Sequence, residues 1–293
     1  MNSSIHFPDQ LVVHATTACL PTLPYAEVAR ILAAGVAQEP WGPLSLAHVQ
    51  VCPQHPHVLT EELLDQIAAV LPGTVLRLHA TVPVMRRHVF GSDAWWSKDS
   101  RPYWERVASL SRHIKAPAYT FHAGTREHHS FDEMLDQARR FEQLFECKVG
   151  IEGLYPDPVK KQSWFVDSWA EYRLLMDSGV CYAIDLSHLN ILARVHNEID
   201  MGLANDLVCH PNCIEIHVSD NDGMSDRHQM MRPQAEQMMW WIPLLARAVR
   251  QRPEALLFSE SSRPWEERAG KPKSFVERHR ATQTSVHLPS TTS

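Results

Sequence analysis

The stretch from Cys213 to His228 carries a recognisable set of chemical groups. It opens as a short apolar strand, Cys213-Ile-Glu-Ile-His217-Val218, breaks into a polar loop around Gly223, and ends in Asp226-Arg-His228. A strand that delivers a histidine at its C-terminal end, followed by a loop that returns an aspartate and a histidine, supplies the donors that Zn, Fe or Mn accept. Other apolar segments end in the same residue types: Leu-His79, Phe-His122, Ile-Glu152, Ile-Asp185 with His188 close behind, and Ser-Glu260. The candidate ligands are therefore His79, His122, Glu152, Asp185, His188, His217, Asp226, His228 and Glu260, all oxygen or nitrogen donors. Burying their four carboxylates together without cations is costly, because desolvation and mutual repulsion both disfavour the charged form. Two divalent ions neutralise them, and three leave a positive surplus able to hold hydroxide or an anionic substrate.

Groups so far apart in sequence converge only if regular elements deliver them to one place. Strands are expected at residues 11–16, 44–52, 75–80, 118–124, 149–153, 181–185, 213–218 and 255–260. Helices alternate with them. Tyr25–Val36 follows Pro24. A second helix runs from a Thr60 cap to about Leu71 and stops at Pro72-Gly73. Others are expected over Pro102–Ile114, from a Ser130/Glu133 capping box to about Cys147, and from a Ser168/Glu171 capping box to Gly179. The remaining ones are Ile199–Val208, the amphipathic Gln234–Arg250 and a last helix, Ser274–Arg280. Eight strands alternating with helices predict a parallel sheet closed into a (β/α)8 TIM barrel, a single domain over residues 1–262. Residues 263–293 are expected to form a C-terminal helix and a polar, frayed tail. The C-terminal ends of barrel strands share one mouth, which is where all nine donors fall.

The chain has 293 residues, which suits one such barrel of typically ~250 residues. A hydrophobic content of 44% supports a large core. The net charge of −6, with no basic block, argues against a strong nucleic-acid or anionic-membrane surface. No apolar run approaches the ~20 residues of a membrane span, and the N-terminus lacks the basic-then-apolar pattern of a signal peptide. The six cysteines form no CxxC pair and read as free thiols, which points to a reducing, cytoplasmic setting. Residues 81–99 form a long unpatterned loop of the kind that covers sites. Its Arg86 and Arg87 are candidates for binding a carboxylate or phosphate, and Trp95 and Trp96 for stacking on substrate. His14, ending the first strand, could face the mouth but reads rather as a core residue or one that supports the ligands from behind.

Over roughly residues 11–262 the chain resembles the xylose-isomerase-like TIM-barrel superfamily. The resemblance lies in Leu-His79-Ala, Phe-His122-Ala-Gly, Ile-Glu152-Gly, Ile-Asp185-Leu-Ser-His188, Glu-Ile-His217-Val, Asp226-Arg-His228 and Ser-Glu260. Sugar isomerases and epimerases of that superfamily hold one metal on a set matching Glu152, Asp185, His217 and Glu260. The resemblance makes Glu152 and Glu260 the catalytic candidates. The full nine donors look like two multinuclear branches: endonuclease IV-type repair enzymes with three zinc ions, and methanobactin-biosynthesis (MbnB-type) enzymes with two or three irons. By that resemblance His79, His122 and Glu152 hold one ion. Glu152 bridges to a second on Asp185, His217 and Glu260, and His188, Asp226 and His228 hold a third.

Phe-His122-Ala-Gly and Asp226-Arg-His228 are similar to the repair branch, but the segment after His79 lacks its tyrosine. The run from Asp185 through His196-Asn-Glu-Ile-Asp200, Glu215-Ile-His217 and the Trp240/Trp241 pair are similar to the iron branch. The expectation favours two or three iron ions, with zinc or manganese as alternatives. Its activity is oxidation of a small molecule or peptide in natural-product biosynthesis, with a precursor peptide or carrier protein as possible partner. DNA is the less favoured substrate, through zinc phosphodiesterase chemistry, and single-metal sugar isomerisation or epimerisation is the third reading.

Overall fold

A computed structural model of the chain describes residues 11–35, 38–39, 42–85, 99–127, 129–157, 163–230 and 238–262. Eight parallel strands close into a barrel: β1 (Val13–Thr16), β2 (Ser45–Val51), β3 (Val75–His79), β4 (Ala118–His122), β5 (Lys148–Glu152), β6 (Cys181–Asp185), β7 (Cys213–Val218) and β8 (Leu256–Ser259). Each strand pairs with its sequence neighbours, and β1 closes the ring between β8 and β2. This is the (β/α)8 TIM-barrel fold expected from the alternation. A two-residue antiparallel ribbon, Gln38–Glu39 with Gly42–Pro43, lies outside the barrel sheet.

The helices are α1 (Tyr25–Ala33), α2 (Glu61–Val70), α3 (Arg101–His113), α4 (Phe131–Phe145), α5 (Trp169–Asp177), α6 (Leu186–His196), α7 (Met201–Cys209) and α8 (Met238–Gln251). Outward-facing strand residues such as Val49, Leu78, Tyr119, Phe121, Ile151, Tyr182, Ile184 and Ile216 are buried in the layer between sheet and helices. Aromatic rings fill one sector, with Trp104 and Phe141 centred 4.6 Å apart and Tyr119 stacked on Phe145 at 4.5 Å. Among the described residues no helix is long and apolar enough to cross a membrane. All six cysteines are free.

Two expectations are corrected. The sequence pattern places no helix between Asp185 and Ile199, but residues 186–196 form α6. Leu186, Leu189, Leu192 and Ala193 are buried on it at helical spacing, and Asp185 caps it by accepting the Ser187 N–H at 2.6 Å. At the start of α5 the Ser168 side chain accepts the Glu171 N–H, but the reciprocal arm of a capping box is absent. The Glu171 carboxylate instead takes a bidentate ion pair from Arg126, at 2.6 and 2.7 Å, and the Asp167 N–H. At Ser130 the full capping box forms as expected. The expected helix over 274–280 and the tail lie outside the described residues, as does the start of the Gln234–Arg250 helix.

Candidate metal centre

His79, His122, Glu152 and Asp185 are the last residues of β3 to β6, His217 is the penultimate residue of β7, and Glu260 follows β8 directly. The register sets His122 beside Glu152 and Asp185 beside His217. His188 reaches the same place from the first turn of α6, because the helical i,i+3 spacing returns it to the side of Asp185. Asp226 and His228 arrive on a loop that doubles back on itself. Asp220 and Gln229 exchange backbone hydrogen bonds, and Ser262 donates to the His228 carbonyl. Gly223, with φ of +75°, makes the bend, and a Cβ there would meet Arg194 Cγ at 2.8 Å. His228 itself holds a φ of +44°, an uncommon cost for a residue with a side chain.

Glu152 is the hub. Its carboxylate is fully buried and lies 3.3 Å from His79 Nε2, 3.8 Å from His122 Nε2, 3.4 Å from His217 Nδ1 and 3.5 Å from His188 Nδ1. Neither oxygen has a hydrogen bond among the described residues, and the same is true of Asp185 Oδ2, His217 Nδ1 and His228 Nδ1. So many buried, unsatisfied donor and acceptor atoms aimed at one spot are not tolerated in an ordinary core. Two donors each ~2.1 Å from one ion at a tetrahedral angle lie about 3.4 Å apart, close to the separations seen here. The residues present therefore fit metal ions. Three trios bring one donor atom each within 4.8 Å of one another: His79, His122 and Glu152; His79, His217 and Glu260; and Glu152, Asp185 and His188. Glu152 and His79 each belong to two trios. Asp226 and His228 sit at the rim, 3.1 Å apart. Asp226 lies 3.3 Å from His188, and His228 Nδ1 lies 3.4 Å from Glu260.

The electrostatics show the strain of assembling these groups without cations. Burial opposes the charge on Glu152, yet the surrounding His217 and His79 rings hold its carboxyl well below the usual range. Burial lowers His79 to about 3. Burial also opposes protonation of His217, His188 and His228. Glu152 and Glu260 nevertheless pull His217 well up, Asp185 and Asp226 do the same for His188, and Asp226 raises His228 to about 10. Burial raises Glu260 to about 7 and also pushes Asp185 upward.

A second polar layer lies one residue pair deeper in the barrel. Glu215 is fully buried and accepts from Arg77 Nη1 at 2.7 Å, Gln50 Nε2 at 2.9 Å and Thr120 Oγ1 at 2.9 Å. His217 Nε2 lies 3.4 Å from the same Glu215 oxygen that Gln50 and Thr120 reach. Burial works against this charge, but the His217 contact and the Arg77 guanidinium bring the carboxyl down to about 2. Sequence reasoning noted Glu215 only beside His217 and gave none of these residues a role. Their signal was the period of two along a strand: Glu215, Arg77 and Thr120 each precede a strand-end histidine by two positions and share its inward face.

The structure thus brings all nine expected donors to one mouth. Arg86, Arg87, Trp95 and Trp96 lie outside the described residues. His14 is buried on β1 against His48 and Phe258, with ring centroids 4.9 and 5.6 Å away, and belongs to none of the trios.

No protein-family model matches the sequence, and no curated protein matches it. Solved structures do match. A D-tagatose 3-epimerase-like protein is 11% identical with a TM-score of 0.58, covering 94% of this chain and 100% of its own. An AP endonuclease, family 2, from Brucella melitensis is 10% identical with a TM-score of 0.59, covering 87% and 95%. The TTHB071 protein from Thermus thermophilus, soaked with ZnCl2, is 16% identical with a TM-score of 0.52, covering 94% and 99%. At these identities the likeness establishes the barrel fold that these structures and this chain share.

Proposed function

We propose that the chain is a metalloenzyme whose mouth holds two or three ions bridged by Glu152, with iron the first candidate and zinc or manganese the alternatives. The observation that carries the proposal is the Glu152 carboxylate. It is fully buried, both its oxygens lack a hydrogen bond among the described residues, and imidazoles from four elements surround it. His79 and His122 would hold one ion with it, and Asp185 and His188 another. His217 and Glu260, with His79, form the remaining trio. Asp226 and His228 close the rim, where a further ion or the substrate would meet them. Iron held there supplies oxygen-dependent oxidation of a small molecule or peptide; zinc there supplies an activated water for hydrolysis.

The crowding argues against single-metal proton shuttling on a sugar. That chemistry needs a carboxylate oxygen within reach of a substrate proton. Glu152 and Glu260 match the carboxylates of such a single-metal set, but His79, His122 and His188 crowd Glu152 beyond the four donors that a single metal of that kind takes. Among the described residues the cluster's carboxylates pair with histidines. Oxidation is placed before repair on the sequence resemblance to the iron branch, with a free, peptide-borne or carrier-borne substrate in a reducing cytoplasmic setting. The AP endonuclease and the D-tagatose 3-epimerase-like protein among the structural neighbours keep the hydrolytic and the epimerase readings as alternatives.

Elemental analysis of protein purified without added metal, with Mössbauer spectroscopy on 57Fe-grown material, tests the proposal. Two or three irons per chain support it. A near-threefold zinc content without iron moves the hydrolytic reading first, with cleavage of abasic DNA as its assay. One metal or fewer after reconstitution removes both.

A further inference from the structure

Glu215 touches none of the three trios as a donor, yet it lies directly beneath two of their histidines. As a carboxylate paired with Arg77 it only accepts hydrogen bonds. Its Oε2 receives Gln50 Nε2 and the Thr120 hydroxyl, so the single Thr120 hydrogen is committed to it. Thr120 Oγ1 can then only accept from His79 Nδ1, 2.9 Å away. His217 Nε2, 3.4 Å from the same Oε2, likewise has only an acceptor to face there. Gln50 Nε2 lies 3.3 Å from this nitrogen, but both of its hydrogens have oxygen acceptors, Glu215 Oε2 at 2.9 Å and Thr120 Oγ1 at 3.5 Å. A neutral imidazole carries one proton, and the nitrogen opposite the proton is the one free to bind a metal.

We propose that Glu215, anchored by Arg77, is a positioning residue that commits His217 to offer Nδ1 and, through Thr120, commits His79 to offer Nε2. Those are the two atoms that face Glu152 and Glu260. The inference rests on the metal reading above. One buried carboxylate therefore sets the proton position of both histidines in the His79, His217 and Glu260 trio. It does so from strands β7 and β4, while Arg77 on β3 keeps the carboxylate ionised and in place. The arrangement also accounts for an arginine in the barrel interior: it balances a charge whose task is to orient the layer above it.

The test uses full-length protein labelled with 15N-histidine, loaded with Zn2+ as a diamagnetic probe. In the wild type, His217 should bind zinc through Nδ1 and show a downfield, slowly exchanging Nε2 proton, and His79 should show the same for Nδ1. Glu215→Gln places an amide N–H where the acceptor stood. It should abolish both protected ring protons and weaken Zn2+ binding about 10–100-fold. Thr120→Val leaves the Arg77 pair intact, so it remains informative if E215Q folds poorly. It should remove only the protected His79 proton. Zinc bound through His217 Nε2, or both variants keeping the wild-type ring protons and Zn2+ affinity within twofold, overturns the inference while leaving the metal centre standing. A wild-type chain that takes up no zinc overturns both.

Discussion

Glu152→Gln removes one charge while keeping the shape of the side chain. In metal-free protein at pH 7 the carboxylate sits 3.4 Å from His217 and 3.5 Å from His188, both held protonated by their surroundings. A pair of unit charges at 4 Å is worth about 4 kcal/mol at an effective dielectric of 20, offset by the cost of desolvating the carboxylate. Removing one partner of such a buried pair costs about 3–5 kcal/mol, and the offset places this case near 3. At about 2–4 °C per kcal/mol, the metal-free variant should melt about 6–12 °C below the wild type. The loaded state separates the variants further. Metal at a hundred times its Kd stabilises by about 2.7 kcal/mol. Glu152 belongs to two of the three trios, so its loss should weaken binding about 100-fold. The same metal concentration then adds only about 0.4 kcal/mol. Differential scanning calorimetry of both proteins, with and without Zn2+, reads these shifts directly. An E152Q protein that gains as much Tm from zinc as the wild type would refute the reasoning.

Further outcomes follow from the same geometry. Arg77→Met strands the Glu215 carboxylate in the barrel interior and should cost about 3–5 kcal/mol in urea unfolding, whereas Arg77→Met with Glu215→Leu should recover at least half of it. Metal loading must displace the protons that His217, His188 and His228 carry at pH 7 and the partial proton on Glu260, so calorimetry in buffers of different ionisation enthalpy should show about three to four protons released per chain, and affinity should climb steeply with pH. In metal-free protein the His228 pair is fully stabilising below about pH 6.5 and is lost as the pH rises toward about 10, because its folded pKa lies above the unfolded one; a His228→Gln variant should therefore lose the corresponding part of the pH dependence of unfolding. Gly153→Ala would place a Cβ 2.2 Å from the Tyr172 ring, beside Glu152 and at the carbonyl that His188 Nδ1 contacts, so it should lower both stability and metal uptake, read by melting and by elemental analysis.

The barrel was legible because its strands are short apolar runs between strong helix signals, and closure follows from eight such units. The donors were legible because each ends a strand, and strand ends in a barrel share a mouth. What escaped was local competition. Asp185-Leu-Ser-His188 reads as a loop when Asp185 is taken only as a donor. Its second role as the cap of α6 turns the same residues into a helix and explains how His188 returns to the site. The capping-box arm of Glu171 failed because Arg126 and the Asp167 N–H take its carboxylate in place of the Ser168 N–H. Glu215 was noted only as a neighbour of His217, because the partners that give it a role come from strands distant in sequence. The grouping of donors into trios depends on side-chain distances that strand order alone does not set. His217 and Glu260 gather with His79, while Asp185 gathers with His188.

The most direct test of the multinuclear centre is anomalous diffraction from crystals of the protein as purified, recorded on both sides of the iron, zinc and manganese edges. The account predicts more than one peak in the mouth, each about 2.0–2.3 Å from its donors, with Glu152 oxygens on two of them. A single peak held by Glu152, Asp185, His217 and Glu260, with His79, His122 and His188 away from any ion, would contradict it.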